Sequence, residues 1–358
     1  MNTQRKSTKM TSIEAARAFA AISVVLMHCA NAMKVEHFSG HVGLNAIFDF
    51  GYVGVDFFFV LSGFIITFVH FKEIGTYQNI PRYLWRRFSR IYPIYWTFLL
   101  LSILLITLAR LATGKGLLFD MGLNDIIGTV FLIISEGEPK YIGPAWSLQY
   151  EVVFYVIFCA LLISGRIGSL LFMTWAMLLL GHSFNLYTLD LPFNLHSPHC
   201  LQFLCGVAVG WLARRHPLKA SKSLLVGVLL IFIAGVIFEV YGPYERHSAI
   251  GRVVLGFSSA LVLATLVGLE NKHALNTPNW LARIGSVSYS IYLGHILFIN
   301  ITFMILVKIG IYHALPEIVA FCIAVAVALT ATTLIGMYIE LPIVNKLKHF
   351  NKQRQLLE

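Results

Sequence analysis

Apolar runs of about 18 to 24 residues recur from one end of this 358-residue sequence to the other, separated by short polar breaks. A run of that length crosses about 30 Å of hydrocarbon at about 1.5 Å rise per residue. Ten such spans can be marked, at residues 12–33, 47–70, 91–111, 144–164, 168–186, 199–213, 222–241, 249–269, 284–306 and 316–339. Inside lipid every backbone polar group must bond within its own segment, so the sequence predicts an all-α integral membrane bundle. Composition agrees: 58% of residues are apolar and 12% are charged, about half the charged share of an ordinary soluble domain. That excludes a soluble globular enzyme and a disordered chain. No internal repeat, low-complexity linker or appended soluble domain is visible, and the longest segments outside the spans are 71–90 and 112–143.

The net charge of +10 would suggest a nucleic-acid partner in a soluble chain, but here it follows the positive-inside rule. An even number of spans puts both termini on one side, and nineteen of the 27 Lys and Arg fall on that side. The reading is therefore a cytoplasmic location for both termini, with no nucleic acid involved and residues 346–358 as a basic cytoplasmic tail. The first span, with Ala30-Asn31-Ala32 near its end, mimics a signal peptide. Glu14 and Arg17 at its entrance and its length favour an uncleaved helix. The five cysteines show neither C-x-x-C nor zinc-type spacing, so they read as buried small hydrophobes, with no disulfide and no metal.

Ionisable side chains inside spans cost about 2.5 to 3.5 kcal/mol each on insertion scales and need a partner, a wet cavity or a reaction to explain them. Arg17 and His28 in the first span, Asp56 in the second, Glu151 in the fourth and His295 in the ninth are such residues. Helical rise puts His28, His295, Glu151 and Asp56 between mid-membrane and the outer third. Two imidazoles and two carboxylates at one depth can share a cavity in which a carboxylate fixes an imidazole tautomer and makes it a better base. A polar residue at the outer interface is the plainer reading of His28. Arg17 precedes it by three helical turns on nearly the same face, suited either to an anion or to snorkelling toward headgroups.

The segment PRYLWRRFSRIYPIYW spaces Arg82, Arg86, Arg87 and Arg90 as a stripe on a helix entering the membrane. Guanidinium groups in that arrangement suit phosphates, and they equally satisfy membrane topology. Glycines in GYVGVDFFFVLSGF and FLCGVAVG permit close helix packing. There is no G-x-S-x-G, no Walker A loop and no H-E-x-x-H.

Taken in order, Arg17 with His28, GYVGVDFFFVLSGF, RRFSRIYPIYW, AWSLQYEVVFY, FLCGVAVG, IGSVSYSIYLGH and IELP resemble the acyltransferase 3 family of integral-membrane acyltransferases. The likeness covers about 11–345, taken as one transmembrane domain spanning 1–345. It implies a ten-helix bundle in a bacterial inner membrane that moves an acyl group, usually acetyl, from cytoplasmic acyl-CoA to a hydroxyl of a glycan or lipid-linked glycan. The short chain looks most like the exopolysaccharide acetyltransferases. The family's first-helix motif falls on Arg17 and His28, its basic motif on Arg86, Arg87 and Arg90, and its Ser-and-Glu motif on Ser147 and Glu151. The terminal Glu340-Leu341-Pro342 departs mildly from the usual Glu-Thr-Pro or Glu-Lys-Pro.

On this resemblance, coenzyme A phosphates rest on Arg86, Arg87 and Arg90, the pantetheine arm passes Arg17, and His28 acts as general base with Glu151 orienting its imidazole. Trp146, Ser147, Tyr150, His295 and Asp56 are the acceptor-side candidates. No cofactor is expected to stay bound, acetyl-CoA or another acyl-CoA being a co-substrate. Two rivals stand beside this reading: a macrolide or lipid acceptor, and a glycan or proton-coupled transporter using the same buried polar groups.

Overall fold

The computed structural model describes residues 10–34, 43–112, 114, 122–133, 141–245, 247–272 and 274–354. Several basic residues used in the topology argument, Arg5, Lys6, Lys9, Lys115, Lys140 and Arg246, lie outside these residues, as do the last four of the tail. The described residues form helices and turns without strands. In chain order the helices are α1 (Thr11–Met33), α2 (Gly43–Phe48), α3 (Val53–His70), α4 (Ile80–Ala112), α5 (Leu123–Phe131), α6 (Trp146–Ile163) and α7 (Gly165–Ser183). They continue as α8 (Pro198–Arg215), α9 (Lys222–Tyr241), α10 (Ala249–Glu270), α11 (Asn279–Ser286), α12 (Ser288–Lys308), α13 (Glu317–Ile335) and α14 (Leu341–Arg354).

Each of the ten expected spans contains one long helix, and eight of these are long and apolar enough to cross a membrane. The other two are α7 and α8. The sequence of α8 tolerates Gln202 because that part of the helix lies inside the bundle, packed on α3, α10 and α7, while Arg214 and Arg215 lie exposed at its C-terminal end. Glycine makes the α3–α8 seam. A Cβ on Gly63 would sit 2.0 Å from the Phe203 carbonyl oxygen, and one on Gly206 would sit 1.9 Å from that of Val60. The two backbones therefore meet directly, the close approach that small residues permit between membrane helices.

The same seam holds a buried ion pair. Asp56, fully buried on α3, accepts from Arg252 Nη1 of α10 at 2.5 Å and from Gln202 Nε2 of α8 at 2.6 Å. Gln202 Nε2 also donates to the Arg252 carbonyl oxygen at 3.0 Å. Three helices are thus fastened at one point, with both carboxylate oxygens satisfied.

Three boundaries differ from expectation. The third span starts at Ile80 rather than 91, because the basic stripe and the apolar run form one continuous helix; at about 1.5 Å per residue its 33 residues reach about 50 Å, well beyond a hydrocarbon core. The ninth is broken at Val287, where α11 turns aside to pack on α1. There Gly285 lies against the Glu14 carbonyl oxygen, 1.7 Å from where its Cβ would stand. The tenth ends in a π-helical turn, Gly336–Glu340, before Pro342. Pro342 has no N–H for the ladder, and the widened turn lies directly upstream of that gap. Residues 346–354, expected as a tail, continue α14.

The segment 112–143, expected outside the membrane, is the largest departure. Its end tucks against the middle of α4. Tyr95 donates to the Thr129 carbonyl at 2.5 Å, Trp96 Nε1 to Val130 at 2.9 Å, Tyr92 to Phe131 at 2.8 Å and Gln149 Nε2 to Ile133 at 3.0 Å. The carbonyls at the end of a helix have no intrahelical partners, and side chains of α4 and α6 supply them here. Residue 95 lies about 22 Å along α4 from its start, and the Gln149 bond ties the first turn of α6 to the residues that end α5.

The N-terminus of α1 has no side-chain cap of its own; Glu270, at the end of α10, accepts from the Thr11 and Ser12 amides at 2.9 and 3.0 Å. Cys29 and Cys200 are buried and Cys159 and Cys205 half-buried, while Cys322 lies on the outward surface of α13, not in the interior as expected.

Gly206→Ala is expected to destabilise the folded protein by about 3 kcal/mol through overpacking. Gly227→Ala, where an added Cβ meets nothing within 4 Å, should be neutral or slightly stabilising. Thermal unfolding in detergent separates the two. In the same assay Asp56→Ala, which strands a buried guanidinium, is expected to cost about 3 kcal/mol.

Candidate active site

Six helices surround a cavity of about 100 Å³, which takes Arg17 from α1, Ser62 from α3, Arg87 and Arg90 from α4, Ser147, Glu151 and Tyr155 from α6, Phe203 from α8, and Tyr289 and Tyr292 from α12. Helical period brings these groups together. Arg87 and Arg90 are one turn apart on α4, Glu151 and Tyr155 one turn apart on α6, and Tyr289 and Tyr292 one turn apart on α12. Three guanidiniums face a single lining carboxylate. Arg17 is also paired with Glu14 at 3.3 Å. Arg87 bonds His70 at 2.6 Å while its Nε is buried without a partner. Arg90 makes no hydrogen bond or ion pair within 4 Å among the described residues. Glu14, Glu151 and Glu340 are the carboxylates that act on Arg17 and Arg90, yet the donors of Arg90 have no direct partner among the described residues, which suits that guanidinium to an incoming anion.

Glu151 was expected beside His28. Instead its hydrogen bonds come from the Ser62 hydroxyl at 2.8 Å and from the Tyr155 hydroxyl, and it lines the cavity with the arginines. Asp56, expected on the acceptor side, is buried at the α3–α8–α10 junction, where it bonds Arg252 and Gln202 and lies 3.9 Å from Nδ1 of His199, the imidazole beside Trp146 and Tyr150. The basic stripe is also divided. Arg87 and Arg90 face the cavity, whereas Arg86 turns to Glu73 at 3.2 Å.

The two histidines do meet. The rings of His28 and His295 are 5.1 Å apart at 46°. His295 Nδ1 donates to the Ile291 carbonyl at 3.1 Å, so the lone pair is on Nε2, which is buried and unpartnered. The Tyr292 ring, at the cavity wall, is 6.2 Å from that of His295. The Ser147 hydroxyl bonds the Tyr292 hydroxyl at 2.7 Å and the Pro144 carbonyl at 3.1 Å. The polar groups thus run in sequence from the arginines through Ser147 and Tyr292 to the imidazole pair.

Trp146 and Tyr150 do not line this cavity. Their rings stand 5.3 and 5.8 Å from that of His199, which also stacks on Phe59 at 4.7 Å. Sequence reasoning passed over Tyr155, Ser62, His70 and His199. Tyr155 was within reach as the i+4 neighbour of Glu151; the others have no signal in the sequence, since their partners are on different helices. Among the described residues, no three His, Cys, Asp or Glu side chains gather as a metal site would require.

Comparison with known proteins places this geometry. Residues 10–337 match the family model described as an acyltransferase domain. The chain is 28% identical over 273 residues to the exopolysaccharide production protein ExoZ of Rhizobium meliloti (strain 1021), an alignment covering 71% of this chain and 78% of that protein. It is 28% identical over 157 residues to the acyltransferase MdmB of Streptomyces mycarofaciens, covering 42% of this chain and 38% of the relative. It is 26% identical over 377 residues to the O-acetyltransferase OatA of Staphylococcus aureus (strain NCTC 8325 / PS 47), covering 94% of this chain and 57% of that one. No solved structure matches. With a family model spanning nearly all of its bundle, the chain belongs to the acyltransferase 3 family and is a multi-pass membrane acyltransferase.

Proposed function

We propose that this protein transfers an acyl group, most simply acetyl, from acyl-CoA to a hydroxyl of a cell-surface polysaccharide or its lipid-linked precursor. The observation that carries the reading is the cavity lined by Arg17, Arg87 and Arg90, in which Arg90 has no direct hydrogen-bond or ion-pair partner among the described residues. Coenzyme A carries phosphates at one end and a thioester at the other. Its anionic end suits the arginines that line the cavity. The similarity to a protein of exopolysaccharide production and to a named O-acetyltransferase supports the acceptor class.

In this mechanism the bundle crosses the bacterial inner membrane ten times, with the arginine-bearing end of α4 toward the cytoplasm, where acyl-CoA is found. His28 takes the proton from the acceptor hydroxyl as that oxygen attacks the thioester carbonyl. The coenzyme A sulfur leaves with the proton returned from His28, as the thiol, and the ester remains on the acceptor. His295, whose Nδ1–H is held by Ile291, packs on the His28 ring and offers Nε2 as an acceptor beside it. Glu151 offsets part of the charge in the donor cavity instead of orienting the base. Trp146 and Tyr150 offer aromatic faces on which a sugar ring can stack.

His28→Ala is expected to lower transfer of radiolabel from acetyl-CoA to glycan in membranes by at least about 100-fold, with the protein still folded. Retention of full transfer would remove the base from the mechanism. Arg90→Gln should raise the apparent KM for acyl-CoA about tenfold with a smaller change in kcat, as loss of one charge-assisted contact to an anion predicts. Mass spectrometry of surface glycan from cells with and without the protein should show a difference of about 42 mass units per acetyl group. Coupled uptake of glycan without label transfer would support a transporter instead.

A further inference from the structure

Arg86 and Arg87 are neighbours in sequence, yet a buried histidine separates their roles. His70, fully buried at the last turn of α3, has Nε2 at 2.6 Å from Arg87 Nη2 and Nδ1 at 2.7 Å from Glu73 Oε2. Arg86 Nη1 donates to the other oxygen of Glu73 at 3.2 Å. A guanidinium only donates, so Nε2 of His70 must accept, and the ring proton is fixed on Nδ1, where it is donated to Glu73. One tautomer of a neutral imidazole satisfies the whole chain.

The remaining surroundings of Arg87 give its guanidinium no other direction. Its carbon lies 5.8 Å from the centre of the Tyr83 ring and 5.5 Å from that of Tyr155, and Nε has no partner. His70 is its one hydrogen-bond acceptor among the described residues. The turn that carries Glu73 is itself fastened: Gly75, at φ +79°, donates its amide to the Leu161 carbonyl of α6 at 3.0 Å. The left-handed backbone there requires a residue without a Cβ.

The chemistry of the acceptor decides what such a chain does. A carboxylate bonded directly to Arg87 would orient it and also cancel its charge. A neutral imidazole orients it while leaving the positive charge for an incoming anion, and the carboxylate that fixes the imidazole stands one ring away. We infer that His70 is a positioning residue that aims Arg87 into the cavity toward the anionic part of the acyl donor, with Glu73 holding the tautomer. This rests on the reading that Arg87 meets acyl-CoA.

The test is donor kinetics on the full-length protein in nanodiscs. His70→Leu fills the space without an acceptor and is expected to raise the apparent KM for acyl-CoA about tenfold, with kcat within about twofold of wild type. His70→Gln, which offers an amide oxygen to Arg87, should recover KM to within about threefold of wild type. Glu73→Gln should raise KM about threefold, and it decides alone if His70→Leu fails to fold as judged by thermal unfolding. A fall in kcat at unchanged KM in these variants, or equal damage from His70→Leu and His70→Gln, overturns the positioning role. Arg87→Gln separates the two levels of the argument. If it raises donor KM while the His70 and Glu73 variants do not, positioning by His70 fails and the donor site stands. Should Arg87→Gln also leave donor KM unchanged, Arg87 does not meet the donor and both readings of it fall.

Discussion

Positive charge held inside the bundle is the constraint on which the remaining architecture depends. Arg17, Arg87 and Arg90 come from two helices and face one cavity, where Glu151 is the lining carboxylate. In a low-dielectric interior such groups repel one another and cost several kcal/mol each to desolvate. The fold answers with partial measures. Glu14 pairs with Arg17, a neutral imidazole holds Arg87, and Arg90 is left without a direct partner among the described residues. Glu340 and Glu151 act on Arg90 without a direct bond, which leaves its hydrogen-bond donors available to an anion.

The helices that frame this cavity are held by interactions of a different kind. At the α3–α8 seam glycine lets two backbones touch, and the fully buried Asp56 joins that pair to α10 through Arg252 and Gln202. At the foot of α1, a carboxylate from α10 stands where the helix's own first residues offer no cap. Along α4, two tyrosines and a tryptophan bond the last carbonyls of α5, and Gln149 of α6 bonds the Ile133 carbonyl just beyond it. Those carbonyls have no partner within their own helix.

Much of this was legible in the residues. The apolar runs located each long helix, with an error of eleven residues at the start of α4, and helical spacing put Arg87 and Arg90 on one stripe. The two histidines were expected at similar depth and are in contact. The hydrogen-bond partners of Glu151 differ from the expected one because depth along a helix does not say which neighbour a side chain meets. An ionisable residue in a span looks the same in sequence whether it serves chemistry or a junction, and the bonds of Asp56 come from Arg252 and Gln202, on helices 146 and more residues away.

Sequence by itself determined that this chain is a helical membrane bundle, because hydrophobic length and the need to satisfy backbone bonds in lipid are local properties of each segment. It also determined which residue types were available for chemistry. Tertiary structure decided which of them meet. A hydrogen bond such as that from Arg87 to His70, or the close approach of the His28 and His295 rings, depends on the offset between helices that share no local sequence pattern, and that offset is set by glycine seams, caps and buried polar bonds acting together.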